Sequence, residues 1–380
     1  MKRLGLGGLI CWLGIFGAVF AQGRPVTVQM DCREGIGLIP SLWRGVRGEG
    51  AHIPEGVEIR TVCLWTEAVR SAWEPKRLGG VFAWSALDEV LVRLQGSEVV
   101  LPLPVMDVAK EQWIDLVRET VNHVGNRVKR FEIVDDTGSD LERYLQFYES
   151  GVWTVYGVDA KARVGGPGRD WKQGWVEALI GRCKTASLPL HFVSWSVMVE
   201  QAGDLRESIA TVEEWVNQAG LTERPKLLVS QWQTTDTGGL ALNLSALVEV
   251  LNSDVEAVCT KSWANDSGVT ALQAMEALEG VRLPIHIDGR DSVVAGIASI
   301  EEPNLLAFFW AKQPGEPIPM TVLFTGLPRG FLVRVKHLQI RSGAWVTEPI
   351  LEETLSVKEP VRVTFPLEAG VLRGIRLEVE

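Results

Sequence analysis

Acidic, amide and tryptophan side chains follow several short apolar runs, at the positions where strands would end. Asp135 and Asp136 follow the run 128–134, and Gln231 and Trp232 follow the run 227–230. Three further tryptophans lie at or beside the ends of other runs: Trp65, Trp195 and Trp263. A saccharide site combines polar groups for hydroxyls with flat apolar faces for sugar rings. The residue types at these ends therefore predict carbohydrate contact.

Eight apolar, β-branched runs alternate with helical patterns in the first part of the chain. They are residues 26–29, 57–64, 99–105, 128–134, 163–165, 191–197, 227–230 and 257–263. Near-continuous apolar runs are typical of parallel strands buried on both faces. Eight βα units over about 260 residues predict a (β/α)8 TIM barrel, whose strand ends meet on one face. The alternative is a doubly wound open sheet, but no Gly-rich phosphate turn follows the first run.

Helices are predicted between these runs, and a different pattern follows them. The predicted helices include 86–94 with Ser85 as N-cap, 141–158, 171–186, 205–219, 242–251 and 271–278. After about residue 283, short strands separated by Pro and Gly turns predict a small C-terminal β-sandwich. The predicted domains are a barrel over 22–283 and a β-sandwich over 284–380.

The N-terminus has the organisation of a secretory signal peptide over residues 1–21. Lys2 and Arg3 precede an uncharged apolar segment at 4–20, and Ala21 is a suitable residue before a cleavage site. An uncleaved membrane anchor is the alternative, but the segment is at the short edge of a span. We expect a secreted or periplasmic protein whose mature chain has no membrane span.

Charge and cysteine content exclude several classes of partner. The net charge of -10, without a basic cluster, argues against nucleic acid and against anionic lipid. The spacing of Cys32, Cys63, Cys183 and Cys259 selects no disulfide pair and no metal site, and small buried apolar side chains are the favoured interpretation. We expect neither a metal nor a cofactor. The sequence makes no prediction of oligomeric state.

Three segments carry a resemblance to a known family, one of them residues 113–131, which resemble its helix leading into strand four. Residues 81–88 (VFAWSALD) resemble the family's "DWSKID" helix start, and 144–167, which end in Arg163-Val164-Gly165-Gly166-Pro167, resemble its "LY…RVGGP" stretch. From about residue 38 to 309 the chain resembles glycoside hydrolase family 39, the β-xylosidases and α-L-iduronidases. The resemblance implies a retaining (β/α)8 glycosidase barrel followed by a β domain.

The chain departs from this family at its catalytic positions. The resemblance aligns the family's acid/base Glu with Asp136 and the preceding Asn with Asp135. It aligns the nucleophile Glu with Gln231, and the strand-six His and Tyr with Ser196 and Met198. The strand-eight Trp is kept as Trp263. Glu132, deeper in the same strand as Asp136, is expected to anchor the barrel.

These substitutions have unequal consequences. A retaining glycosidase needs two carboxyl groups about 5 to 5.5 Å apart, and the neutral amide of Gln231 is a poor nucleophile. Asp136 keeps an acid on a side chain one methylene shorter, although it could instead cap the following loop. We predict a glycan-binding pseudoenzyme with Trp65, Trp195, Trp232, Trp263 and Asp135 as ligand contacts. One alternative is a hydrolase that uses Asp136 as acid and Asp236 or Asp266 as base. The other is a structural or assembly protein.

Overall fold

The computed structural model describes residues 26–36, 38, 45–48, 59–135, 138, 140–234, 239–251, 253–261, 266–288, 293–345, 348–357 and 360–379. A strand that precedes the barrel, β1, spans Val26–Asp31. The barrel strands are β2 (Gly45–Arg47), β3 (Thr61–Cys63), β4 (Glu98–Val105), β5 (Arg130–Asp135), β6 (Arg163–Asp170), β7 (Phe192–Val199), β8 (Lys226–Thr234) and β9 (Val255–Thr260). These eight strands pair in parallel, in sequence order, and close when β9 pairs with β2. The predicted (β/α)8 barrel is confirmed.

The first barrel strand is not the one that the sequence predicts. Residues 26–29 fall in β1, which pairs in parallel with a strand of the C-terminal β-sandwich from Val26↔Met320 to Asp31↔Thr325. The strand that closes the barrel is β2, only three residues long. So short a run has no detectable period-2 pattern, whereas Val26–Asp31 is a regular strand that can pair with any suitable edge. Residues 26–29 therefore belong to the sandwich and not to the barrel, which corrects their predicted placement.

Eight α-helices lie around the barrel in the described part of the chain. They are α1 (Thr66–Arg77), α2 (Ser85–Arg93), α3 (Lys110–Val124), α4 (Leu141–Val158), α5 (Trp175–Ala186), α6 (Gly203–Ala219), α7 (Gly239–Glu249) and α8 (Asp266–Glu276). The predicted bounds of α4 are confirmed, and the Asp140 side chain caps this helix by accepting a hydrogen bond from the Arg143 N–H. Ser85 is the first helical residue of α2 and not its cap, because Trp84 occupies that position.

The Gly-Gly-Pro segment forms the middle of β6, where neighbouring groups leave no room for a side chain. A Cβ on Gly165 would lie 2.1 Å from the Phe192 carbonyl oxygen, inside the strand pairing with β7. A Cβ on Gly166 would lie 2.6 Å from the Tyr144 hydroxyl, which donates a hydrogen bond to the Ile133 carbonyl. The two glycines therefore let β6 lie between β5 and β7, in contact with the Tyr144 side chain of α4.

The β-sandwich consists of two sheets and includes β1. Its C-terminal strands are β10 (Val281–Leu283), β11 (His286–Asp288), β12 (Val294–Glu301), β13 (Asn304–Ala311), β14 (Ile318–Thr325), β15 (Leu332–Arg341), β16 (Leu351–Ser356), β17 (Val361–Leu367) and β18 (Val371–Val379). One sheet has the order β11-β1-β14-β17 and the other β10-β12-β13-β18-β15-β16. A strand predicted at 345–348 is absent from the described residues there, and β16 follows instead.

The sandwich packs directly on the barrel helices. Trp310 of β13 is buried in the barrel's own hydrophobic core and donates its indole N–H to the Ser245 hydroxyl of α7 at 2.8 Å. The Gly343 N–H donates to the Thr270 hydroxyl of α8 at 3.1 Å. The helices seen in the described residues are all too short or too polar to cross a bilayer.

Candidate functional site

Side chains of the barrel strands divide between the barrel axis and the helix layer. One cluster, which includes Phe192 and Leu228, is separate from the main core and fills the inside of the barrel. Val193, Trp195 and Val197 belong instead to the core that includes the helices. Since successive strand residues point to opposite faces, Ser194 and Ser196 of β7 face the axis.

Trp195 and Trp232 lie outside the mouth of the barrel, which we define as the carboxyl ends of β2–β9. Trp195 is 0 % exposed, and its indole N–H donates to the Ser208 hydroxyl of α6 at 3.2 Å. Trp232 is 2 % exposed and packs in the same core. The expectation that these two indoles contact a ligand is therefore wrong. Strand ends are rich in aromatic residues on both faces, and the run alone did not show which face each occupies.

Gln231 lies at an irregularity of β8. Trp195 pairs with Val229, but Ser196 pairs with Gln231, so Ser230 is an extra residue in β8. The Ser230 hydroxyl donates to the Trp195 carbonyl at 3.4 Å. Gln231 is half-buried between the buried Ser230 and Trp232, and it is level with the axis-facing Ser196. Bulges re-aim side chains next to sites, and this one immediately precedes Gln231.

A buried pair of opposite charges lies in the barrel interior. Arg47 at the end of β2 and Glu132 of β5 approach to 3.6 Å between Nη1 and Oε2, and Glu132 is 1 % exposed. Arg47 also donates to the Ser230 carbonyl at 3.4 Å, next to Gln231. The expected anchoring role of Glu132 is consistent with this burial. Arg47 was not predicted, because β2 is too short to be recognised as a strand.

Trp65 follows β3 and lies among cations. The Arg47 guanidinium carbon is 5.4 Å from the ring centroid, and the Lys261 ammonium is 5.1 Å from it. Trp65 is half-buried and Lys261, after β9, is exposed. The structure thus places Trp65 at the mouth beside two positive charges. Lys261, like Arg47, was not predicted from the sequence.

The remaining predicted residues differ in accessibility. Asp135, the last residue of β5, is 2 % exposed and pairs with Val105, which belongs to the core that includes the helices. A ligand in the mouth would not reach so buried a carboxylate, which corrects the expectation that Asp135 binds substrate. Asp136, Asp236, Trp263 and the side chain of Asp266 lie outside the described residues. Met198 is exposed, and its sulfur accepts from the Gln233 amide at 3.6 Å.

In the portion of the chain that the structure covers, no three His, Cys, Asp or Glu side chains are grouped closely enough to hold a metal ion.

Solved structures with the same architecture include several glycosidases. No family model and no curated protein matches the sequence. A glucosidase from Croceicoccus marinus shares 16% sequence identity at a TM-score of 0.69, with 93% of this chain and 99% of that chain covered. A monomeric β-xylosidase from Caulobacter crescentus shares 15% sequence identity at a TM-score of 0.69, with 93% of this chain and 99% of that chain covered. The GH39 enzyme from Xanthomonas axonopodis pv. citri shares 13% sequence identity at a TM-score of 0.72, with 96% of this chain and 99% of that chain covered. The chain therefore has the fold of the family 39 glycoside hydrolases, a (β/α)8 barrel joined to a β-sandwich.

Proposed function

We propose that this protein binds a carbohydrate in the mouth of its barrel and does not hydrolyse it by the retaining mechanism. The observation that carries the proposal is Gln231, a half-buried amide at the bulged carboxyl end of β8, level with the axis-facing Ser196. The resemblance aligns this position with the family's nucleophile. An amide oxygen carries no full negative charge, so it neither attacks the anomeric carbon efficiently nor stabilises an oxocarbenium-like transition state.

The nearby described carboxylates do not supply the missing anion. Glu132 is buried below the mouth and its charge is opposed by Arg47 at 3.6 Å. Asp135 is buried and pairs with Val105, which belongs to the core that includes the helices. A nucleophile must reach the reacting atom at about 3 to 3.5 Å, which neither group can do from these positions. The alternative hydrolase would use Asp136 with Asp236 or Asp266, about 6.5 to 9.5 Å apart in an inverting geometry.

The mouth retains groups suited to a sugar. Trp65 offers aromatic surface, and Ser196, Gln231 and Gln233 offer neutral donors and acceptors for hydroxyl groups. Because the similar structures include a glucosidase and a β-xylosidase, glucosides and xylosides are the first ligands to test.

Restoring the carboxylates tests the loss of hydrolysis. We expect the wild type to leave aryl β-glucosides and β-xylosides intact, and Gln231→Glu with Asp136→Glu to release the aryl group. Gln233→Glu with Asp136→Glu is the matched control, since it adds the same charge two residues further along β8, and it should stay inactive. Wild-type turnover that Asp136→Asn abolishes would show that the protein is an active hydrolase.

Ligand binding is tested separately, by calorimetry with xylo- and gluco-oligosaccharides. Trp65→Ala should weaken binding about fivefold, because it removes a stacking surface worth about 1 kcal/mol. Trp195→Phe should leave affinity unchanged, because this ring is buried against α6. Absence of binding to any glycan of an array would favour the structural or assembly role.

We also propose that the protein is exported and that its signal segment is removed after Ala21. Cleavage there would leave β1 intact, since this strand begins at Val26. N-terminal sequencing of the protein recovered outside the cytoplasm should start at Gln22. A chain that retains Met1 in the membrane fraction would support the anchor instead.

A further inference from the structure

Two cysteines that are far apart in the sequence meet inside the barrel. The sulfur atoms of Cys63 in β3 and Cys259 in β9 are 3.2 Å apart, although the residues are separated by 196 positions. Both side chains are fully buried and belong to the cluster that fills the barrel interior, with Phe192 and Leu228. A disulfide bond is about 2.05 Å long, so the sulfurs are about 1.1 Å from bonding distance.

The cysteines lie on the two strands that flank the short strand β2. Strand β2 lies between β3 and β9 and has three residues. Among the residues that the structure describes, it pairs with β9 at Gly45↔Cys259 and Val46↔Thr260, and its last residue, Arg47, pairs with Cys63. A covalent bond between the two sulfurs would tie β3 to β9 across this short strand.

We propose that Cys63 and Cys259 form a disulfide bond across the barrel interior when the protein folds in an oxidising compartment. The oxidant is a disulfide of low molecular mass or of an oxidoreductase. One cysteine thiolate attacks that disulfide, forms a mixed disulfide and releases one thiol. The second cysteine thiolate then attacks the mixed disulfide and releases the second thiol. The two cysteines lose two electrons and two protons, and the oxidant becomes two thiols.

The bond forms before the barrel closes. Burial is the main factor that raises the pKa of the Cys63 thiol well above its ordinary value, and the contact with Cys259 adds to it. The attacking species is the thiolate, so the folded, reduced barrel exchanges slowly. An oxidant present during refolding should therefore produce the bond, whereas the same oxidant added after reduced refolding should act much more slowly.

The bond would also fix the positions of two residues at the mouth. Trp65 is two residues beyond Cys63, and Lys261 is two residues beyond Cys259. The ring and the ammonium are 5.1 Å apart. A disulfide would hold together the two strand ends that carry this contact, independently of whether the mouth binds a glycan.

Peptide mapping tests the bond directly. The full chain is refolded with oxidised glutathione, unfolded in guanidinium, alkylated without reduction and digested. We expect one linked peptide pair containing Cys63 and Cys259, with Cys32 and Cys183 alkylated. Mapping each cysteine separately makes the result independent of signal removal. Alkylation of both Cys63 and Cys259, or a link to another cysteine, would overturn the proposal.

Thermal unfolding with and without dithiothreitol provides the second measurement. Closing so long a loop should raise the melting temperature on the order of 5 °C, which the reductant removes. The control variant Cys32→Ala with Cys183→Ala should keep this reductant-dependent shift, because Cys32 lies in the sandwich region and Cys183 in α5. Cys63→Ala with Cys259→Ala should lose it. If that variant does not fold, the wild-type peptide map still decides.

Discussion

At the scale of single residues, the barrel interior holds a charge pair where most of its neighbours are apolar. Arg47 and Glu132 are both nearly inaccessible, and Arg47 also contacts the Ser230 carbonyl and the Trp65 ring. The pair thereby connects the first barrel strand with the strand ends that carry Gln231 and Trp65. A buried ion pair is a weak source of net stability, but losing one partner is expensive because the other charge remains buried.

Removing the charge of Glu132 should destabilise the protein by about 3 kcal/mol, since Arg47 would remain charged inside the barrel. Urea unfolding of Glu132→Gln measures this loss. The double variant Glu132→Gln with Arg47→Met should recover part of it, because no buried charge remains. If the two substitutions are additive, so that Arg47→Met lowers the free energy of unfolding equally in the wild type and in Glu132→Gln, the two residues do not interact.

At the scale of elements, β6 depends on a close approach of its backbone to neighbouring groups, and β1 ends in a turn held by an ion pair. Gly165 and Gly166 admit the neighbouring strands and the Tyr144 ring. The end of β1 is closed by a turn in which Arg33 donates to both carboxylate oxygens of Asp31, at 3.0 and 2.7 Å. The predicted runs 26–29 and 163–165 fall inside these two strands, but the position of each strand depends on a distant segment, which is β14 for β1 and β7 for β6.

Gly165→Ala should prevent normal folding or lower stability by several kcal/mol, because the added Cβ would lie 2.1 Å from the Phe192 carbonyl oxygen. The matched control is Gly181→Ala in α5, where nothing lies within 4 Å. That variant should gain about 0.5 to 1 kcal/mol from its better helix propensity. Circular dichroism and urea unfolding compare the two, and equal stability would contradict the packing of β6.

The turn after β1 should make stability depend on pH in the acidic range. Hydrogen bonds from Arg33 lower the pKa of Asp31 from 3.8 to about 2. A lowered pKa contributes stability above the unfolded-state value, and this contribution is lost as the pH falls from about 4 to about 2. Asp31→Asn should therefore be less stable than the wild type at pH 6, and the difference should shrink toward pH 2. A constant difference across this range would contradict the interaction.

At the scale of the whole molecule, the barrel and the sandwich share a hydrophobic core. Trp310 comes from the sandwich but is buried with barrel residues, and Phe308 and Ile340 belong to the same cluster. Strand β1, which precedes the barrel in the sequence, forms one sandwich sheet with β11, β14 and β17, which follow the barrel. We expect the described parts of both units to unfold together.

Trp310→Ala should lower the free energy of unfolding by about 3 to 5 kcal/mol, through a cavity and the loss of a hydrogen bond to Ser245. Trp153→Ala is the control, since this α4 ring is 54% exposed and its loss should change stability by about 0.5 kcal/mol or less. Coincident transitions by fluorescence and circular dichroism would support a shared core, and two separate transitions would contradict it.

Sequence periodicity was enough to identify most of the barrel strands, the bounds of α4 and the existence of a C-terminal β domain, because these depend on residues close together in the chain. The amide at Gln231 is likewise a property of the sequence alone. Pairing partners are non-local, so only the tertiary structure assigned β1 to the sandwich and β2 to the barrel. It also decided that Trp195 and Trp232 face the helices, and that Cys63 meets Cys259, because side-chain orientation and distant contacts arise only when the sheet closes.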